Sequence, residues 1–352
     1  MLENFQKGRG AQVNSKNKFL VNHFEAELND NLVLEDGLKV PKTQVFYDTP
    51  KNILSTFSSP DLPMGKSINP YQGCEHGCIY CYARNAHEYW GFSAGLDFES
   101  KIIVKKNTPE LLEKLFSNPK WEPSVIEVSG NTDCYQPLEK EFKLTRQMLE
   151  IFLKYRNPIG MITKNSLITR DIDILSELAK RQLVHVYISI TSLDEKTRQL
   201  LEPRTVTYKQ RLKTIEALTQ AGIPVGVMTA PIIPGLNDHE IPAIIKAASE
   251  YGALSAGYTV VRLNGAIGEI FTDWVYKALP DKADKILNQI KECHNGKLND
   301  SRWGARIVGE GKIAETIKNL HQMAVKKYLS DRKMPRYRYD LFFREGKQMS
   351  MF

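Results

Sequence analysis

The chain has 352 residues, 42% of them hydrophobic and 25% charged, with a net charge of +7. This is the profile of a globular protein long enough for one barrel-sized core with appendages. No apolar run approaches a membrane span and the N-terminus MLENFQKGRG has no apolar secretory core, so a cytoplasmic protein is expected. Five cysteines, three of them within eight positions, argue for reduced, metal-binding thiols over a disulfide framework. The modest positive excess permits an anionic partner without requiring one.

Residues 1–60 read as an irregular extension. Its stretch KGRGAQVNSKNKF places Lys7, Arg9, Lys16 and Lys18 with no acid between them. That pattern suits a solvated arm or, alternatively, a phosphate contact. QVFYDTP (44–50) alternates like a short strand before Pro50 and the SSPDLP connection. The stretch NPYQGCEHGCIYCY (69–82) then brings Cys74, Cys78 and Cys81 into one loop, which Gly73 and Gly77 leave free to bend. Three thiolates so placed suit a soft metal centre. An iron–sulfur cluster with one iron left open is one solution, and a structural thiol cluster is another. A zinc site is the third, completed by His76, His87, Cys134 or Cys293. His87, Glu88, Tyr89 and Trp90 follow the loop and are expected to pack over it.

From Ile68 onward, strand-like runs recur at 125–129, 159–163, 184–191, 224–230 and 256–263, separated by helical segments. Ile174, Leu175, Leu178 and Ala179 share one helix face that Thr169 is expected to cap. Leu212, Ile215, Leu218 and Ala221 share another, with Gly222 as the stop. Strands alternating with helices imply right-handed crossovers and a parallel sheet. About six such units fit an α/β fold, a partial (β/α)6 TIM-type barrel over residues 61–264. Its site is expected at the C-terminal strand ends. Residues 265–352 form a C-terminal helical region, with helices expected over Asp281–Cys293 and Lys312–Tyr328, and Cys293 on an apolar face. The tail 326–347 carries eight Lys/Arg against three acids, interleaved with Tyr328, Tyr337, Tyr339, Phe342 and Phe343. Basic groups among aromatics can pair with phosphates and stack on bases. The extension and the helical region are expected to cover the barrel mouth.

The Cys74–x3–Cys78–x2–Cys81 spacing, with Tyr80 before the third cysteine, resembles the signature of radical S-adenosylmethionine (SAM) enzymes. The wider string GCEHGCIYCYAR, followed by HEYWGFSAGLDFESKI, is similar to the spore photoproduct lyase-like, or DNA-repair-photolyase-like, branch. The resemblance runs from about Lys7 to the last residues and is most specific between Asn69 and Lys105. It implies that Cys74, Cys78 and Cys81 hold a [4Fe–4S] cluster whose fourth iron chelates SAM. Reductive cleavage of SAM would then give a 5′-deoxyadenosyl radical that abstracts hydrogen from a substrate, with electrons from a donor such as flavodoxin or ferredoxin.

The same resemblance carries SAM contacts onto strand ends. After 125–129 the usual Gly-Gly-Glu-like motif is replaced by Gly130, Asn131, Thr132 and Asp133, where Asp133 is a partner for the SAM ammonium or the anchor of an Asx turn. Lys164, after 159–163, is implied as the partner of the SAM carboxylate. On 184–191, His185, Tyr187, Ser189 and Thr191 form a polar row, and Ser189 matches the position that meets the SAM ribose, with Thr191 beside it. Arg204 is a substrate contact or a partner of Glu202. Cys134 is a hydrogen-atom donor in this reading, although it follows the acid that it precedes in the relatives. Packing and an incidental fourth thiol are its alternatives. The expected function is therefore that of a radical SAM enzyme acting on a nucleic-acid lesion, with a peptide or small metabolite as the alternative substrate. A zinc-stabilised nucleic-acid-binding module is the reading without catalysis.

Overall fold

The computed structural model describes residues 5–19, 43–61 and 65–344. Residues 20–42 of the extension, the end of the SSPDLP connection and the tail beyond 344, with Lys347, lie outside the described residues. The strands are β1 (Gln44–Asp48), β2 (Leu54–Thr56), β3 (Lys66–Ile68), β4 (Tyr71–Gln72), β5 (Lys101–Lys105), β6 (Ile126–Val128), β7 (Ile159–Thr163), β8 (Val184–Ser189), β9 (Val225–Ile232) and β10 (Ser255–Val260). Seven of them make one sheet in the order β10-β9-β8-β7-β6-β3-β2. All its pairings are parallel except the antiparallel edge pair β2–β3. The six parallel strands are those of a partial (β/α)6 barrel, left open between β10 and β2. A smaller sheet, β1-β5-β4, brackets the cysteine loop, which leaves β4 and returns to β5.

The alternation along each strand decides what faces where. Ile126, Val128, Met161, Val186, Ile188, Val225 and Val227 are fully buried on the outer face, in one core with Leu149, Phe152, Leu175, Leu178, Leu212 and Ile215 of the crossover helices. Each such side chain contributes roughly 1.5–3 kcal/mol of burial. The inner face carries Glu127, Ile162, His185, Tyr187, Gly226 and Met228 instead, and is only partly closed. The helix Tyr208–Gln220 starts on Thr207 and is stopped by Gly222 at φ 76°. The cap expected at Thr169 is corrected: its hydroxyl donates to the Ser166 carbonyl. A 3₁₀ turn, Ser166–Asp171, begins instead on Asn165, whose side chain accepts from Leu167 N, and the α-helix follows over Ile172–Lys180.

The basic N-terminal stretch is not a solvated arm. Arg9, Gln12, Ser15 and Asn17 are buried while Lys7, Lys16 and Lys18 stay exposed. The amides of Gly10 and Ala11 donate to the Glu99 carboxylate at 3.2 and 2.7 Å. Gly10 lies so near the cysteine loop that a Cβ would stand 1.7 Å from the Gly77 oxygen. At the other end, helices Ala266–Ala278 and Ala283–Cys293 pack Phe271, Trp274, Ile286 and Ile290 with Ile79 and Tyr80 of that loop. Helix Gly311–Tyr328 covers the outer face of β10 and encloses Cys293.

The tail runs under the opposite end of the barrel from the mouth. Tyr337 stacks on His185 at 3.9 Å and donates to the carbonyl of Ile159, the first residue of β7. Phe342 packs on Phe116 and Tyr155. Arg332 and Arg344 donate to backbone carbonyls, and Arg338 pairs with Asp340. Three of the tail's four arginines and two of its aromatics are thus engaged within the chain.

Candidate active site

The cysteine loop sits at the C-terminal ends of the parallel strands, tied down from below. Gly73 and Gly77 adopt φ 80° and 67°, left-handed conformations that favour glycine, and they let the loop turn back on itself. The fully buried Arg84 guanidinium donates to the carbonyls of Gly77, Cys78, Ala94 and Gly95 and pairs with Glu99 at 2.6 Å. Cys74 and Cys78 are nearly buried and Cys81 is partly open. Burial raises the Cys74 thiol, and the charge of Asp133 and the fields of Cys78 and Cys81 raise it further; Cys74 and Cys81 pack in one cluster with Ala83 and Phe98. The Lys164 ammonium acts in the opposite sense on Cys78 and Cys81.

This donor set suits a polynuclear cluster. A four-iron cluster takes each thiolate on a different iron, so its ligands surround a volume rather than meet at a point. Among the described residues no group of three or more His, Cys, Asp or Glu is arranged to hold a single metal ion. The fourth ligands that a zinc site would need are placed elsewhere. His76 is held between Asp133 (3.3 Å) and Asn165 (3.2 Å), His87 between Phe92 and Phe98, Cys134 in the main core and Cys293 under the last helix.

The loop after β6 reaches the same mouth. Ser129, at φ 86°, turns it, with its hydroxyl donating to Thr132 O and accepting from Cys134 N. Gly130 offers its carbonyl to the Tyr82 hydroxyl. The Asn131 amide donates to Asn69, and its side chain to Gln72. The Thr132 hydroxyl donates to the Tyr71 carbonyl at 2.7 Å. Asp133 accepts from the Thr163 hydroxyl at 2.7 Å and from the Lys164 amide at 2.9 Å. Burial opposes ionisation of Asp133, but His76 and these donors more than offset it and hold the carboxyl far below its usual range. Asp133 thereby joins the loop after β6 to the loop after β7.

Lys164 extends over Tyr80, 5.9 Å from the ring, toward Cys78 and Glu202. Glu202, which in sequence figured only as a candidate partner of Arg204, is a buried hub. It accepts from Tyr80, from Thr191 at 2.5 Å and from Arg211 at 2.5 Å. Burial would raise its carboxyl, yet Arg211, Lys164 and the two hydroxyls bring it down to about 2. The Thr191 hydroxyl is therefore engaged within the chain, whereas the Ser189 side chain makes no hydrogen bond among the described residues. Arg204 turns to Glu75 of the cysteine loop at 3.5 Å rather than to Glu202. Cys134 is fully buried among core residues, and burial pushes its thiol well up, an environment that matches the packing alternative. Two further groups flank the mouth. Tyr82, half exposed, follows Cys81, and Arg262, just beyond β10, has no hydrogen-bond or ion-pair partner among the described residues. Their proximity in space was invisible in sequence, since 180 residues separate them.

Comparison with known proteins agrees with this geometry. A family model described as the radical SAM superfamily matches residues 68–248. An uncharacterized protein of Mycobacterium tuberculosis is 31% identical over 222 residues, covering 62% of this chain and 65% of that protein. One of Methanocaldococcus jannaschii is 31% identical over 173 residues, covering 49% and 62%. The chain thus spans less than two thirds of the length of these curated relatives. Among solved structures, spore photoproduct lyase complexed with dinucleoside spore photoproduct superposes with a TM-score of 0.60 at 15% identity, covering 81% of this chain and 79% of that one. At that identity the likeness speaks to the fold.

Proposed function

The chain belongs to the radical SAM superfamily, and on that premise we propose that Cys74, Cys78 and Cys81 bind its [4Fe–4S] cluster and that the mouth around Lys164 binds SAM. When bound, cluster and SAM supply a 5′-deoxyadenosyl radical for hydrogen abstraction, given an electron from a donor such as flavodoxin or ferredoxin. The chain's own residues position and shield this chemistry. Lys164, whose ammonium favours the thiolates of both Cys78 and Cys81, receives the SAM carboxylate. Ser189 is free to meet the ribose. Asp133 holds the two strand-end loops in place, while the Gly130 amide and the Asn131 carbonyl are left to the ligand, their other backbone groups being held by Tyr82 and Asn69. Thr132, Thr191 and Cys134 act as supports.

The observation that carries this reading is that three thiols share one loop, anchored by the buried Arg84–Glu99 pair, at the C-terminal ends of six parallel strands. Anaerobic reconstitution tests it. About four irons per chain are expected, with most lost in each single Cys→Ala variant; a full cluster in the triple variant would sink the assignment.

For the substrate we propose a nucleic-acid component. Its contact is the mouth rather than the tail: unpaired Arg262 lies near half-exposed Tyr82, and exposed Trp303 stacks against Arg306 at 3.9 Å. A guanidinium beside exposed aromatic faces suits phosphate and base together. Binding to single- and double-stranded DNA and RNA should weaken steeply with salt and drop in Arg262→Ala. Salt-insensitive or absent binding rejects this substrate class.

A further inference from the structure

We propose that Glu127 is the specificity-determining residue of a substrate compartment inside the barrel, where it reads the N–H edge of a flat heterocycle such as a nucleobase. This rests on the nucleic-acid reading above and deepens it by naming the edge that is read. Glu127 is the middle residue of β6. Its neighbours Ile126 and Val128 are fully buried on the outer face, so the alternation turns Glu127 inward. In register it lies between Ser67 of β3 and Gly160 of β7, whose small side chains leave the carboxyl uncovered on both sides. Among the described residues it has no hydrogen-bond or ion-pair partner.

Three tyrosines from three other segments feel its charge: Tyr82 at the mouth, Tyr187 on β8 and Tyr337 of the tail. Tyr337, stacked on His185, together with Pro335, whose carbonyl is 2.8 Å from His185 Nε2, closes the compartment at its lower end. The opening is therefore toward the cysteine loop. One row above Glu127, Ile162, Tyr187, Gly226 and Ser255 line the inner face in register. The Tyr187 ring lies so close to the β9 backbone that a Cβ on Gly226 would stand 2.5 Å from it, which gives the lumen a flat aromatic wall. The Ser255 hydroxyl, buried beside Tyr187, falls short of a full hydrogen bond to it, though it offsets part of the upward push that burial gives the phenol. None of these inward positions carries Lys or Arg.

Glu127 is part-buried, and a carboxyl so placed without a partner carries an uncompensated desolvation cost. A substrate that brings the partner resolves the cost. Burial pushes the Glu127 carboxyl up to about 8, and in either protonation state it keeps a carboxyl oxygen that accepts from a ring N–H, such as uracil or hypoxanthine offers.

Equilibrium dialysis with the cluster-loaded protein tests this, using uridine against 3-methyluridine and inosine against 1-methylinosine. Each N-methylated probe should bind about tenfold more weakly than its parent, the loss of one hydrogen bond to a buried group. Glu127→Ala should weaken the parent nucleosides by a similar factor and erase the discrimination. Equal binding of the methylated pairs to the wild-type protein, discrimination that persists in Glu127→Ala, or no nucleoside binding would overturn the proposal. Preference for an N-acetyl dipeptide amide over every nucleoside would overturn the heterocycle and favour a peptide. Iron content and SAM cleavage of the same preparation report separately on the cysteine assignment, so the two readings fail independently.

Discussion

Replacing Arg84 should disconnect the cysteine loop from the rest of the molecule. Its guanidinium makes five hydrogen bonds to backbone carbonyls, at 2.9–3.2 Å, and one to Glu99 at 2.6 Å. Glu99 in turn receives the Gly10 and Ala11 amides, so loop and N-terminal segment depend on one buried ion pair. Arg84→Ala leaves that carboxylate with Arg9 at 4.0 Å and the two amides, strands the carbonyl of Gly77 and leaves that of Cys78 with the Cys81 amide alone. Breaking a buried pair costs about 3–5 kcal/mol, and a stranded carbonyl about 1–3 kcal/mol before water enters. A net loss on the order of 4 kcal/mol is expected, a large share of a typical total stability of roughly 5–15 kcal/mol. Arg84→Lys keeps the charge but not the planar fork that meets several acceptors at once. It should fold, melt earlier and bind less than half of the wild-type iron. The assays are thermal unfolding of the apo-protein and iron and sulfide content after anaerobic reconstitution. Wild-type melting and full iron in both variants would refute the reasoning.

Lys164→Ala should weaken SAM binding by about tenfold or more, from a charge-assisted contact of roughly 1.5–3 kcal/mol, while iron content stays intact; titration with SAM reads this. Glu202 gives a pH signature. Its folded carboxyl lies at about 2 against 4.5 unperturbed, so its contribution is present above pH 4.5 and lost as pH falls to about 2. The window amounts to on the order of 3 kcal/mol. Glu202→Gln should flatten the acid limb of the stability profile in chemical denaturation, and an unchanged limb would remove Glu202 as its source. Tyr337→Ala removes the ring stacked on His185 and the bond to Ile159. A loss of about 2–4 kcal/mol is expected, measurable as an earlier melt, and wild-type stability would show that the tail does not close the barrel.

The periodic elements were legible because burial acts along short stretches. VHVYIS alternates between a helix-covered row and a lumen-facing row, and β8 forms with that division. IGMIT becomes β7 from end to end. The cysteine spacing marked one loop as the candidate for a metal centre before any fold was known. The arm around Arg9 was not legible as a buried element, because its acceptor, Glu99, lies 90 residues away. The cap at Asn165 was not legible for a related reason: Thr169 can also cap, and only the 3₁₀ turn between them selects Asn165.

Composition, periodicity and the three-cysteine spacing by themselves determined the fold class, the parallel strand units and the kind of centre the loop suits, since each depends on residues close in the chain. Tertiary structure alone decided which polar groups remain available. Thr191 and Asp133 look like ligand contacts in sequence, but Glu202 and His76 engage them. Glu127 and Arg262 look unremarkable, yet among the described residues they keep unpaired groups at the lumen and the mouth, as the expected ribose contact Ser189 does. The physical reason is that a side chain's hydrogen-bonding capacity is used up by whatever lies within about 3 Å of it, and chain folding rather than chain order sets that neighbourhood.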